Sequence, residues 1–229
     1  MKRRLVAASV LVGLFAAAAG AVLDGITLKR SGPVGQKIEY KLEAHLSFAG
    51  QDADITANGV DTLTALNPDG TSTIDVVQSD LTVNGQPYSV ASQATTIVQN
   101  ADGSVVSFSG VSDTSGGTRR QAMLVFYYPK NPVKIGDSWS YDFTPDSKIG
   151  PAYKVQLKYT ADETIGKHDA AKIEGTIAET GGTDAASAKT TYWIDKTDGS
   201  LVKEIAEVKN IPFGPPGDAD GKLTYTRTN

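Results

Sequence analysis

The feature that most constrains this chain is a two-residue alternation of apolar and polar side chains. From Tyr40 to Phe48 the even positions are apolar, and from Tyr153 to Tyr159 the odd positions are apolar. This period is that of a β-strand with one buried and one solvated face. Pairs such as Asn84-Gly85 and Asp102-Gly103 separate the alternating runs and suit tight hairpins, because both residues tolerate positive φ. The chain is therefore predicted to be all-β, with a mostly antiparallel sheet.

Three landmarks recur in the same order in the two halves of the chain. Gly35 to Tyr40 aligns with Gly136 to Tyr141, and a Pro-Val pair precedes each. In the second match, Asp61-Thr62-Leu63 aligns with Glu163-Thr164-Ile165. In the third, the segment from Asp102 to Val106 aligns with the segment from Asp198 to Val202. The order and spacing predict two pseudo-repeated antiparallel meanders at 22–110 and 132–229, joined by a linker or covering segment at 111–131. Two such halves form either one curved sheet, that is, a half-barrel, or two sheets packed face to face as a sandwich.

One segment within this linker does not alternate. The run from Thr118 to Tyr128 is apolar from Ala122 onward, follows two glycines and precedes Pro129. These boundaries favour a short helix over residues 118–128, although the same apolar run also suits a buried strand. In either form the segment is predicted to cover an open mouth or an edge of the sheet.

The first 21 residues have the layout of a secretory signal peptide. Three basic residues at 2–4 precede an apolar run from Leu5 to Ala19, and small residues follow up to Ala21. Cleavage after Ala21 is expected; the alternative is an uncleaved anchor, because Leu5 to Leu23 just reaches the length of a membrane span. Both alternatives place the rest of the chain in an extracytoplasmic space, periplasmic, secreted or at the cell surface. No membrane insertion is expected after cleavage.

Composition excludes several chemistries. The chain has no cysteine, which rules out disulfides, thiolate metal centres and a thiol nucleophile. Its 22 Lys and Arg stand against 26 Asp and Glu, a net charge of −4, which argues against binding to nucleic acid or to anionic lipid. The two histidines, His45 and His168, lie in no metal-ligand or catalytic motif. No catalytic residue, metal site or cofactor is therefore predicted.

The segment from Pro129 to Tyr141 reads PKNPVKIGDSWSY. It resembles the P-V-x-x-G-D-x-W motif of uncharacterised secreted bacterial all-β proteins. The likeness covers residues 129–208, through a hairpin that ends in K-I-E at Glu174 and an aromatic strand with a D-G turn. The resemblance implies an exported, non-catalytic β domain from a family with no settled activity. More distantly, the layout is similar to the half-barrels of periplasmic lipoprotein carriers, a likeness of architecture alone.

Four aromatic residues of the second half form the candidate ligand site. Trp139, Tyr141, Tyr153 and Trp193 fall in predicted strands. Aromatic side chains of this kind usually pack in a core. The functional alternative is a curved sheet that these rings line, where an apolar or sugar ligand binds.

These observations favour a non-catalytic protein that binds an amphipathic small molecule or another envelope component, such as an envelope protein. The alternative is a structural or interaction module of the cell surface with no ligand pocket. A glycan-acting hydrolase that uses carboxylates such as Asp61, Glu163 and Glu174 comes third. An apolar cavity that is open to solvent would indicate a binding protein, and a filled interior would indicate a structural module. Two carboxylates about 5–10 Å apart in one cleft would indicate a hydrolase.

Overall fold

A computed structural model of the chain describes residues 25–88, 95–110, 116–146, 150–213 and 217–229. The predicted signal peptide at 1–21 lies outside these residues. The only helix in the described part is α1, Gly117–Leu124, and no described helix is long and apolar enough to span a membrane. The strands are β1 Lys37–Phe48, β2 Gln51–Leu66, β3 Ser72–Val83, β4 Gln86–Pro87, β5 Thr95–Gln99, β6 Val105–Ser109, β7 Ser138–Phe143, β8 Tyr153–Ile165, β9 His168–Glu179, β10 Ser187–Asp195, β11 Leu201–Pro212 and β12 Asp218–Arg227.

All twelve strands of the described residues belong to one antiparallel sheet. Its order is β6-β5-β3-β2-β1-β12-β11-β10-β9-β8-β7, with the short β4 paired to β3 beside this path. The first strand pairs with the last over the register from Tyr40 with Arg227 to Phe48 with Ala219. Each half is therefore a meander, and the two join edge to edge at β1 and β12. The all-β prediction is confirmed, and of the two arrangements left open the structure shows the single sheet.

The alternation along the strands sorts side chains between the two faces of the sheet. In β8, Tyr153, Val155, Leu157 and Tyr159 are buried, and the residues between them are exposed. In β1, Ile38, Tyr40 and Leu46 are buried in the same way. The two-residue period thus gives one inner apolar face and one outer solvated face, as the sequence predicts.

The predicted helix is present but ends earlier than expected. α1 stops at Leu124, and Val125 has extended backbone angles (φ −75°, ψ 153°). The residues that follow are β-branched or aromatic and lead into Pro129, and the residue before a proline is disfavoured in the helical region. The apolar run therefore divides into a helix and an extended piece. Within the predicted linker at 111–131, we call these residues, 117–128, the covering segment from here on.

The covering segment reaches both edges of the sheet. Its helix contacts the edge strand β6 and also β9, β10 and β11 of the second meander. On β7, at the opposite edge, Trp139 Nε1 and Tyr141 Oη donate hydrogen bonds to the carbonyl oxygens of Tyr127 (2.9 Å) and Tyr128 (2.5 Å). So short a segment touches both edges only because the sheet curves round it. The sheet is thus a half-barrel with the covering segment on its inner side.

The core lies between the covering segment and the second meander. Leu28 and Leu46 belong to the same core. Most of its large buried side chains come from that meander and the covering segment: Met123, Tyr127, Tyr153, Val155, Leu157, Tyr159, Ile173, Ile177, Tyr192 and Ile194. Arg119 fixes α1 to β9, because its Nε and Nη2 donate to the two carboxylate oxygens of the buried Glu179 at 2.6 and 2.7 Å. A paired fork of this kind holds the helix in one orientation.

Two of the three repeated landmarks occupy equivalent places in the meanders. The amide nitrogens of Gly35 and Gly136 donate to a carbonyl of the neighbouring strand, at 2.7 and 2.8 Å. Gly103 and Gly199 close matching turns, with amide hydrogen bonds of 2.9 Å in both. The middle landmark is not equivalent. Asp61 faces the inner side of β2, whereas Glu163 lies on the outer face of β8 beside Trp193. The residue boundaries of the two halves stay a prediction.

The equivalent turn glycines carry a testable consequence. Gly103 and Gly199 have φ of 84° and 70°, and a Cβ on them would overlap the carbonyl oxygens of Phe126 and Lys29 respectively. We expect Gly103→Ala and Gly199→Ala each to lower the free energy of unfolding by several kcal/mol. Gly85→Ala is the control, because Gly85 has a φ of 74° and open space around it, and should cost only about 1–2 kcal/mol. Equal losses for all three variants in urea unfolding would contradict this account.

Candidate functional site

A cavity of about 430 Å³ lies inside the half-barrel, mainly under the first meander. Its apolar wall is built by β1, β2, β5 and β12, from residues such as Leu42, Ala44, Ile55, Ala57, Ile97 and Leu223. The register explains this wall, because Ala44 pairs with Ile55 on one side and with Leu223 on the other. Directly paired residues share a face of the sheet. The covering segment closes the opposite side with Leu124, Val125 and Phe126.

Glu204 is the one carboxyl in the middle of this inner face. It pairs across the sheet with Tyr192 of β10 and Tyr225 of β12, and it is only 3% exposed. Its Oε1 has no hydrogen-bond partner among the described residues. Burial raises the pKa of Glu204 to about 8, since the charged form loses its hydration. The side chain is therefore mostly a neutral carboxylic acid at pH 7.

A second carboxyl and an arginine lie at the end of the cavity where β1 begins. Burial raises the pKa of Asp61 to about 7, and the positive charge of Arg30 opposes this shift. Arg30 donates from Nη2 to Gln36 Oε1 at 3.3 Å, while its buried Nε has no partner in the part of the chain that the structure describes. Asp61 and Arg30 thus partly compensate each other's charge.

Arg120 of α1 lines the cavity near the end of β11. Its Nη1 donates to the carbonyl oxygen of Pro212 at 3.3 Å, and its guanidinium lies 5.3 Å from the centre of the Phe213 ring. Burial lowers the pKa of Arg120, but a guanidinium stays charged in proteins. The cavity therefore combines an apolar wall with a few buried polar groups, the composition typical of a small-molecule site.

Three of the four aromatic residues predicted as the ligand site meet at the β7 edge of the sheet. The rings of Tyr141 and Tyr153 pack around Phe143, and the Tyr127 hydroxyl donates to Tyr153 Oη at 3.2 Å. Trp139 also lines a second, more open depression of about 460 Å³. None of the three lines the cavity inside the half-barrel.

Trp193, the fourth predicted residue, lies on the outer face. Its Nε1 donates to Glu163 Oε2 at 2.7 Å, and its ring lies between the ammonium groups of Lys172 and Lys203, 5.5 and 5.3 Å from them. The structure therefore brings Trp139, Tyr141 and Tyr153 together but not Trp193. A role of these four residues in ligand binding stays a prediction.

The histidines lie apart. His45 Nδ1 is 2.7 Å from Asp54 Oδ1 on the exposed surface, and His168 Nδ1 is 2.8 Å from Asp195 Oδ2 at the start of β9. Within the described ranges, no three His, Asp or Glu side chains are placed to hold a metal ion.

The chain matches no protein-family model and no curated protein sequence. Among solved structures it is similar to a Bacteroides fragilis protein inferred to be exported and assigned a YmcC-like fold, with a TM-score of 0.38 and 8% identity over 88% of this chain and 97% of that one. It is also similar to a DUF1329 family protein from Desulfovibrio piger, with a TM-score of 0.30 and 11% identity over 85% of each chain. At such low TM-scores, neither likeness supports a conclusion about this chain.

The buried carboxyl predicts a specific pH dependence of stability. The folded protein keeps the Glu204 proton up to about pH 8, whereas an unfolded chain loses it near pH 4.3. Between these values the folded state binds more protons, so the stability that the neutral acid provides is lost as pH rises. Glu204→Gln removes this titration. We expect its free energy of unfolding to exceed that of the wild type at pH 9 by a few kcal/mol, on the order of the shift at about 1.4 kcal/mol per unit, and to match it near pH 4.

The control for this measurement is Glu207→Gln, an exposed residue on the same strand and the opposite face. It should follow the wild-type curve at every pH in denaturant unfolding. Asp61 titrates alike in all three proteins, so the difference curve isolates Glu204. Parallel curves for Glu204→Gln and the wild type would show that Glu204 ionises normally.

Proposed function

We propose that this protein is a non-catalytic binding protein of an extracytoplasmic space, and that it holds an apolar or amphipathic small molecule in the cavity of its half-barrel. The observation that carries the proposal is the cavity itself, about 430 Å³ of space with an apolar wall inside a folded sheet. Ligand sites in proteins have volumes of about 300–1,000 Å³ and a mostly apolar lining. The signal-peptide layout of residues 1–21 supports the proposed location.

The uneven packing of the interior supports a ligand over a purely structural role. Protein interiors are normally filled to crystal-like density, and a void costs stability in proportion to its volume. The second meander follows this rule over most of its inner face, whereas Leu42, Ile55 and Ile97 of the first meander, together with Leu223 of β12, line open space. A module without a ligand would be expected to have a filled interior under both meanders. An apolar molecule in the cavity would supply the missing contacts.

The two carboxyl groups that line the cavity, Glu204 and Asp61, are too far apart for a glycan hydrolase at that site. Glu163 and Glu174 approach each other on the outer face instead, where Lys172 Nζ lies 3.1 Å from Glu163 Oε1 and 3.8 Å from Glu174 Oε1 and pairs with both. The register places Glu204 in the same row as Ala57, three strands away, and Asp61 lies four residues further along β2. At about 4.8 Å per strand and 3.3 Å per residue, the two Cα atoms are about 14 Å apart across the sheet and about 13 Å along it. A glycosidase needs its two carboxyl groups about 5–10 Å apart.

A pair of neighbouring residues tests the site. Val76 lines the cavity, and Val77 points from the same strand to the outside, where it is 37% exposed. We expect the neutral dye N-phenyl-1-naphthylamine to bind the wild type with a fluorescence increase. Val76→Trp should weaken this binding by about tenfold or more, because the added ring removes contacts worth about 0.8 kcal/mol per CH₂. Val77→Trp adds the same ring outside the cavity and should bind as the wild type does.

Two results would overturn the proposal. The first is an absence of saturable dye binding to the wild type. The second is equal affinity of Val76→Trp and Val77→Trp when both variants melt as the wild type does, since the dye would then bind elsewhere.

A further inference from the structure

We propose that the ligand is an amphiphile with an anionic head group, whose head binds Arg120 and whose apolar part lies against the inner face of β1 and β2. This inference rests on the proposed function, because it names the class of molecule that the cavity takes. The inference follows from the charged side chains that line the cavity and from the ion pairs and hydrogen bonds that each of them forms.

Two adjacent arginines of α1 have different surroundings. Arg119 points away from the cavity and forms two hydrogen bonds with the carboxylate of Glu179. Arg120 lines the cavity, and its contacts in the described part of the chain are the Pro212 carbonyl and the Phe213 ring. Arg120 forms no ion pair within 4.0 Å with a described carboxylate. A guanidinium has five N–H donors in a fork that fits a carboxylate, sulfonate or phosphate.

The other ionisable groups of the cavity do not neutralise Arg120. Glu204 is nearest to Tyr192 and Tyr225 in the sheet, and burial keeps it neutral at pH 7. Asp61 lies at the far end beside Arg30, whose charge acts on it. The cavity thus has a net positive charge at neutral pH. A partly buried charge in a mostly apolar cavity is stabilised by pairing, so an anionic head group supplies the charge that this site lacks.

Glu204 lines the same cavity and makes its charge depend on pH. A neutral carboxyl can donate a hydrogen bond, and Glu204 Oε1 has no hydrogen-bond partner among the described residues. Above pH 8 the same group becomes a carboxylate and repels an anion in the cavity. The groups that face Glu204 are Tyr192 and Tyr225 on the adjacent strands, Arg120 on α1, and Asp61 with Arg30 across the cavity. Among these, only Asp61 also titrates near neutrality, because the pKa values of both buried tyrosines are raised.

Three probes with one tail and different heads test the inference: decane-1-sulfonate, decan-1-ol and decyltrimethylammonium, each kept below its micelle concentration. Calorimetric titration of the wild type at pH 7 should give the sulfonate an affinity about tenfold to a hundredfold above that of the alcohol, as a charge-assisted hydrogen bond provides, with the ammonium weakest. Arg120→Gln should remove this preference and leave the affinity for the alcohol nearly unchanged. Arg120→Lys keeps the charge without the fork and should retain part of the preference.

Lys189→Gln is the matched control, because it removes one positive charge from the exposed outer face of β10. It should keep the full preference for the sulfonate. Melting curves of all variants establish that each is folded at the titration temperature. The wild-type affinity for the sulfonate should also fall about threefold to tenfold between pH 7 and pH 9, and most of this fall should disappear in Glu204→Gln, where only the ionisation of Asp61 remains.

The outcomes separate this inference from the proposed function. If the alcohol binds but the wild type shows no preference for the sulfonate, or Arg120→Gln keeps that preference, the anionic head group is refuted and the binding cavity stands. If the ammonium probe binds best, a cationic head at Glu204 replaces the proposal. If none of the three probes binds, the proposed function itself fails.

Discussion

The whole structure depends on how a single sheet covers its own inner face. Twelve strands present one large apolar face, and the only described helix, with eight residues, is too short to cover it. Curvature lets both edges reach the covering segment, and the second meander packs against it as a filled core. Over the first meander the covering segment contacts β6, and open space remains between Leu124, Val125 and Phe126 and the inner face of β1, β2 and β5. The cavity follows from this shortage, and so does the placement of Glu204 and Arg120, because polar groups become buried where the sheet closes over open space.

Much of the fold could be predicted from the sequence because strand periodicity is local. The runs at Tyr40 and Tyr153 fix which side chains face inward, and the turns at Gly103 and Gly199 fix the hairpins. The choice between one sheet and a sandwich is not local. It depends on pairing between β1 and β12, which are separated by most of the chain, and no short-range pattern encodes that contact. The end of α1 at Leu124 was missed because an apolar run has no period of its own.

The candidate site could be predicted only in part. The four aromatic residues are predicted as a ligand site because rings on a curved sheet suit an apolar ligand, yet Trp139, Tyr141 and Tyr153 form hydrogen bonds and ring contacts at the β7 edge. The sequence does contain one indication of Glu204, because this charged residue occupies an inward position of an alternating strand, between Val202 and Ala206. A charged residue at an apolar position of the period is a candidate buried polar group. Arg120 gave no such signal, because its orientation depends on how α1 docks.

The most direct test of the account is the position of a bound decyl chain, measured by nuclear Overhauser effects to labelled methyl groups. The account predicts contacts from the chain to the cavity methyl groups of Ile55, Ile97 and Leu223. Contacts to Ile205 and Val77 on the outer face, or to Leu157 at the depression beside Trp139, would contradict it, because the ligand would then bind outside this cavity.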